Sequence, residues 1–214
     1  MSLTPASLIA LFSAMLVLSA LPSISVLAVT SRALSGGFRH GAAVSAGVVT
    51  GDIIFILIVL FGLGLLLASA GSWVDYLKYA AAAYLLWMAV ALWRSRNVTG
   101  AAGDTALHLR PTSLTSSFFS GLLLTLGDQK AVFFYLGFFP AFVDLSVLTV
   151  PDILLIVLIT VITVGGVKLC YAWLVSRAGQ TLALSSRARQ LTRALNVLAA
   201  LILVLAAAMV ILRY

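Results

Sequence analysis

Glutamate is absent from this 214-residue chain; its six acidic residues are all aspartates. A zinc hydrolase built on H-E-x-x-H is therefore excluded. Only two histidines occur, His40 and His108, both in segments read as loops, so no apolar segment holds an imidazole base beside a serine nucleophile. Cys170 is the lone cysteine, which rules out an intrachain disulfide and a C-x-x-C thiol relay. No enzyme, cofactor or metal centre is expected on this inventory. Charge is scarce as well: 9% of residues are charged, against about 25% in an ordinary soluble domain.

What fills the chain instead is apolar. Hydrophobic residues make up 63% of it and the mean hydropathy is +1.18, more than a water-soluble fold of this length could hide. The runs Ile53 to Ala70, Ile153 to Val167 and Val197 to Leu212 contain no formal charge, and runs of about 18 residues read as membrane helices. Six spans are expected: Leu3 to Val29, Ala42 to Ala70, Val74 to Trp93, Leu114 to Phe139, Ile153 to Val175 and Leu195 to Leu212. With no basic stretch before Leu3, the first is read as a retained span and not a cleaved signal.

The net charge of +7 resides mostly in the connections between spans. Arg32 and Arg39 follow span one; Arg94, Arg96 and Arg110 lie in the longest connection; Arg177, Arg187, Arg189 and Arg193 follow span five. That alternation is topogenic and not a nucleic-acid footprint, and the positive-inside rule turns both termini away from the cytoplasm. Tyr79, Tyr84, Trp87 and Trp93 fit interfacial anchoring and packing better than a ligand cage.

The polar connection splits the single transmembrane domain, 1–214, into repeat one over 1–93, a cytoplasmic linker over 94–113 and repeat two over 114–214. The window from Phe12-Ser13 to Pro22-Ser23 aligns without gaps with Phe119-Ser120 to Gly127-Asp128-Gln129-Lys130. Each window ends in a helix-breaking or polar element. An odd number of spans per half inverts the second, so the expected fold is all-α, six transmembrane helices as two three-helix inverted repeats, with solute held at corresponding breaks near midplane. Pro22 either serves such a site, with Ser23, or only bends its helix.

Four ionisable residues fall in or near the hydrocarbon: Asp52, Asp128, Lys130 and Lys168. One charge at the bilayer centre costs about 2.5–3.5 kcal/mol on an insertion scale, so all four should turn inward. Asp52 and Lys168 occupy comparable places in spans two and five and should approach each other or line one cavity. A break after Gly127 would let Asp128, Gln129 and Lys130 reach it too. Both signs suit a zwitterion such as an amino acid, and a desolvated carboxyl can exchange protons. The alternative is a set of buried ion pairs that only fix helix register. Gly47 and Gly51, four apart, are read as a close helix contact.

The order of Pro22, Ser31-Arg32-Ala33-Leu34-Ser35-Gly36-Gly37, Gly41, Gly47 and Gly51-Asp52, then Phe119-Ser120-Gly121-Leu122, Lys130-Ala131, Phe134 and Phe139-Pro140-Ala141-Phe142-Val143, resembles the LysE/RhtB amino-acid exporters over nearly the whole chain. The resemblance implies a six-span, proton-coupled antiporter that exports amino acids or related metabolites across the bacterial inner membrane, and it leaves room for a homodimer. The partners it implies are a small-molecule substrate, protons and membrane lipid. Where that family typically has Pro-Gly-Pro and Asn-Pro-Lys, this chain has Pro22-Ser23-Ile24 and Asp128-Gln129-Lys130. A channel, a non-transporting scaffold or an exporter of a small cation are the alternatives. On the site reading, the residues for substrate or coupling are Pro22, Ser23, Asp52, Asp128, Gln129, Lys130 and Lys168.

Overall fold

The computed structural model describes residues 5–21, 23–69, 73–94, 113–128, 135, 148–178, 197–198 and 200–208. Every regular element among them is helical: α1 (Pro5–Ser19), α2 (Ile24–Gly36), α3 (Phe38–Ser69), α4 (Trp73–Arg94), α5 (Leu114–Leu126), α6 (Val150–Thr160) and α7 (Gly166–Ala178), with a π-helical turn at Val161–Gly165 joining the last two. A further helical stretch occupies residues 200–208.

The surface of these helices is apolar where a soluble protein would be polar. Val150, Leu154, Leu158, Val161, Ile162 and Leu169 are exposed along α6, the π turn and α7, as are Ile58 and Phe61 on α3 and Phe119 and Leu123 on α5. Such a surface is stable only against lipid. Two stretches are long and apolar enough to cross a bilayer, Phe38–Gly62 and Val150–Arg177, and α1 with α2 form a third candidate bent by 60°.

The chain turns sharply where hydropathy suggests a loop. Arg32 is not in a connection: α2 runs on to Gly36, and Gly37 alone, at φ 82°, reverses the path before α3 begins at Phe38. Only glycine adopts that conformation without strain, so one residue replaces a loop. His40 accordingly lies in the first turn of α3, and its Nδ1 sits 2.9 Å from Ser117 Oγ of α5. Arg32 is buried at 5% exposure and donates from Nη2 to Ser120 Oγ at 3.3 Å. The charge that remains exposed at this corner is Arg39.

Helix α3 is the spine. It meets α5 backbone to backbone: a Cβ at Gly47 would collide with the Phe118 carbonyl, one at Gly121 with the Val44 carbonyl, and one at Gly51 would lie 2.7 Å from Thr125 Cβ. Gly41 does the same against α2 and α7, 2.8 Å from Ala33 Cβ and 2.9 Å from Ala172 Cβ. Small residues substitute for hydrophobic collapse here, because lipid is as apolar as the helix faces themselves. Leu11, Met15, Val29, Val44, Ile56, Leu85, Ile156 and Leu203 join the helices in one buried cluster.

The helix ends are defined by local chemistry. Ser113 Oγ accepts from Ser116 N at 3.1 Å to start α5. Asp152, fully buried, accepts from Thr149 N at 3.1 Å and Thr149 Oγ1 at 2.6 Å to start α6.

The seam gives a test. Gly121→Leu has no room and should destroy the monodisperse peak of detergent-solubilised protein, whereas Gly62→Ala, with nothing within 4 Å of the added carbon, should stay within about 0.5 kcal/mol of the native stability in thermal unfolding.

Candidate functional site

The sequence places its first break near Pro22, and α1 does stop there. After Ser19 the chain leaves the helix at Ala20 and Leu21, and α2 starts anew at Ile24 with Ser23 extended (φ −125°, ψ 169°) as its N-cap. A helix end leaves carbonyls without intrahelical donors. Tyr171 of α7 meets this need, donating its hydroxyl to the Ala20 carbonyl at 2.9 Å. Ser19 Oγ, which donates to Leu16 O at 2.9 Å, also reaches the Thr163 carbonyl at 3.4 Å. Thr163 belongs to the π turn, a geometry that disturbs the regular ladder and is common at functional sites. The break in α1 and the irregular turn in the span beside it are therefore tied together.

A second break lies at the end of α5. Gly127 caps the helix, its N–H bonded to Leu123 O at 2.8 Å, and Asp128 leaves the helical path with its N–H on Thr125 O at 3.0 Å. The expected span to Phe139 is thus interrupted at the polar block.

Both breaks open on one cavity of about 250 Å³. That volume is just under the roughly 300–1,000 Å³ of drug-sized pockets and suits a small metabolite. Leu21 and Ser23 line it from the first break and Asp128 from the second; Asp52 of α3 and Lys168 of α7 line it between them. Asp52 and Lys168 are buried at 8% and 3% exposure and act on one another electrostatically. Asp128 lies within electrostatic range of Asp52 and of Tyr84 on α4. Of the seven residues proposed from sequence, the structure thus gathers Ser23, Asp52, Asp128 and Lys168; Pro22, Gln129 and Lys130 lie outside the described residues.

Sequence reasoning missed Tyr135, buried at 5% exposure, which lines the cavity and donates its hydroxyl to the Asp52 carboxylate. It missed Ser25 as well, whose Oγ lies 3.0 Å from that of Ser23 and which also faces the cavity. A tyrosine inside an apolar run was the available signal for Tyr135, since a buried phenol requires a partner. Apart from Ser19 and Thr125 the rest of the described lining is apolar, with Val48 and Val164 four residues before Asp52 and Lys168. No group of three or more metal-ligating side chains occurs among the described residues.

A lipid-facing helical bundle with broken helices around a cavity of mixed charge defines a class, the α-helical membrane translocators. The family model of the LysE type translocators matches residues 16–213, and the chain belongs to that family. An uncharacterized membrane protein of Synechocystis is 45% identical over 198 residues, 92% of each chain. The homoserine/homoserine lactone efflux protein of Salmonella typhi is 33% identical over 128 residues, 59% of each chain, and the leucine efflux protein of Klebsiella pneumoniae is 26% identical over 148 residues, 67% of this chain and 65% of that one. No solved structure matches the chain. The family's members are transporters, and this chain is a transporter and not an enzyme.

The buried pair is open to a thermodynamic test. Asp52 and Lys168 are both buried and act on one another electrostatically, so removing one leaves the other without its counter-charge. Lys168→Met should lower the unfolding temperature markedly, and adding Asp52→Asn should restore part of the loss; equal melting of the single and double variants would show that the two charges do not act on each other.

Proposed function

We propose that this protein exports amino acids or closely related small metabolites from the cytoplasm by secondary, proton-coupled antiport. The observation that carries the reading is the meeting of opposite charges, Asp52 and Lys168, at a cavity opened by two helix breaks. An amino acid needs a carboxylate for its ammonium and a cation or helix N-terminus for its carboxylate. Asp52 and Asp128 supply the first; Lys168 and the α2 N-terminus supply the second. The names of the related homoserine and leucine efflux proteins point the same way.

Coupling needs a carboxyl that binds a proton and the ammonium of the solute by turns, and Asp52 and Asp128, which line the cavity with Lys168, are the carboxyls we assign to it. A proton neutralises such a carboxyl in the empty carrier, and the ammonium of the solute neutralises it in the loaded one. Mutual exclusion of the two is what antiport requires. A second reading, export of a small organic cation, would use the same carboxyls and leave Lys168 idle.

The architecture we propose around this site is six spans in a bacterial inner membrane, with repeat one over 1–93 and repeat two over 114–214 inverted about the cavity and both termini in the periplasm. Correspondence of the breaks at the ends of α1 and α5 supports it. So does the alternation of arginines between connections, with Arg39, Arg94 and Arg177 exposed at three helix ends.

In reconstituted vesicles with a pH gradient, labelled amino acids should move against the proton flux. Asp128→Asn should cut gradient-driven flux by about tenfold or more, of the order seen when a positioned acid–base group is lost, while membrane abundance stays near native. Flux that is indifferent to the gradient would indicate a channel instead.

A further inference from the structure

One buried charge lies outside the cavity. Arg32 sits on α2, one turn before that helix ends at Gly36, and is buried. Its Nη2 donates to Ser120 Oγ of α5 at 3.3 Å, while Nη1, also buried, has no hydrogen-bond partner. No carboxylate pairs with it among the described residues. A guanidinium stays protonated, and a buried charge is ordinarily paired. A buried donor left unsatisfied therefore calls for an ion or a functional role.

The packing gives this charge a place on the way to the cavity. Helices α3 and α5 run side by side in the same sense, His40 meeting Ser117, Val44 meeting Gly121 and Gly51 meeting Thr125. Their first residues share one end of the bundle, where Arg39 and Ser113 are exposed. On the orientation proposed above, that end faces the cytoplasm. Ser120 precedes Leu124 by one turn, about 6 Å of helix, and Val44 precedes Val48 by the same interval. Leu124 and Val48 line the cavity, and residues so spaced share a helix face. Arg32, bonded to Ser120, thus stands one turn from the cavity, between it and the cytoplasmic end. The contact with Ser120 can open without stranding the serine proton, because Ser120 Oγ donates to the Ser116 carbonyl at 2.8 Å. A carboxylate would engage Nη1 and Nη2 together, a stronger pairing than one neutral hydroxyl offers.

The geometry points to Arg32 as a second anion site, on the route by which solute enters from the cytoplasm. Its guanidinium rests on Ser120 while that end is closed, and when the end opens it receives the carboxylate of the entering amino acid before the solute reaches Asp52 and Lys168. This rests on the transport reading and the orientation above, and it assigns to them a residue that selects for carboxylate-bearing solutes ahead of the cavity.

The test places one thiol at the cavity and approaches it from both sides. Leu124→Cys, in the full chain with Cys170→Ser, is labelled in everted and in right-side-out membrane vesicles. The two impermeant reagents are a sulfonate-bearing and a trimethylammonium-bearing methanethiosulfonate. Both routes end at the same thiol, so its surroundings cancel and only the routes differ. The anion-to-cation rate ratio should be higher from the cytoplasmic face by about tenfold or more, the order by which a passage of one charge sign changes encounter rates. Arg32→Gln should abolish that difference, and Arg32→Lys, which keeps the charge, should retain most of it. Equal ratios from the two faces with Arg32 in place, as a lipid phosphate seated on the guanidinium would give, overturn the inference. So does a difference that survives Arg32→Gln, one that is lost in Arg32→Lys as well, or a thiol that no reagent reaches from the cytoplasmic face. Any of these results beside gradient-driven flux of a labelled amino-acid mixture by the native chain leaves transport standing. Absence of that flux overturns the transport reading and this inference with it.

Discussion

Charge buried among lipid-facing helices governs everything else in this molecule. Asp52 and Lys168 are carried on opposite helices into a bundle whose outer surface is Ile, Leu, Phe and Val. An isolated charge there is costly, and each is tolerable only because the other, a phenol hydroxyl and a cavity are present. The fold therefore has to bring α3 and α7 together with one face of each turned to the same space.

Two devices achieve that. Glycines let α3 lie against α5 and α2 at backbone distance, so that Asp52, one residue past Gly51, is delivered to the cavity edge with Thr125 beside it. Irregular backbone does the rest: the interruption after Ser19, the end of α5 at Gly127 and the π turn at Val161–Gly165 all gather where the charges are. In lipid such irregularity persists only where other groups satisfy the freed carbonyls, as Tyr171 does for Ala20 and Ser19 for Thr163.

Much of this was legible because membrane sequences spend polar residues sparingly. Asp52, Asp128 and Lys168 stood out against apolar runs, and Gly47 with Gly51 marked a helix contact by spacing alone. Gly127 announced the end of α5. Other features left no such trace. Arg32 reads as a topogenic loop charge because hydropathy does not distinguish a one-residue turn at Gly37 from a loop; it is in fact buried against Ser120. His40 reads as a loop residue for the same reason. Tyr135 and Tyr171 look like ordinary apolar residues until a partner 83 or 151 positions away is known, and a π turn has no compositional signature at all.

The central claim is that the charges face a space that admits water and solute and are not a sealed ion pair. Cysteine accessibility measures this directly. In a Cys170→Ser background, Ser25→Cys in vesicles should react with a small, charged, membrane-impermeant thiol reagent, and a saturating amino-acid mixture should slow that reaction, whereas Leu158→Cys on the lipid face should stay inert. Failure of Ser25→Cys to react, or reaction at the same rate with and without amino acids, would contradict the account.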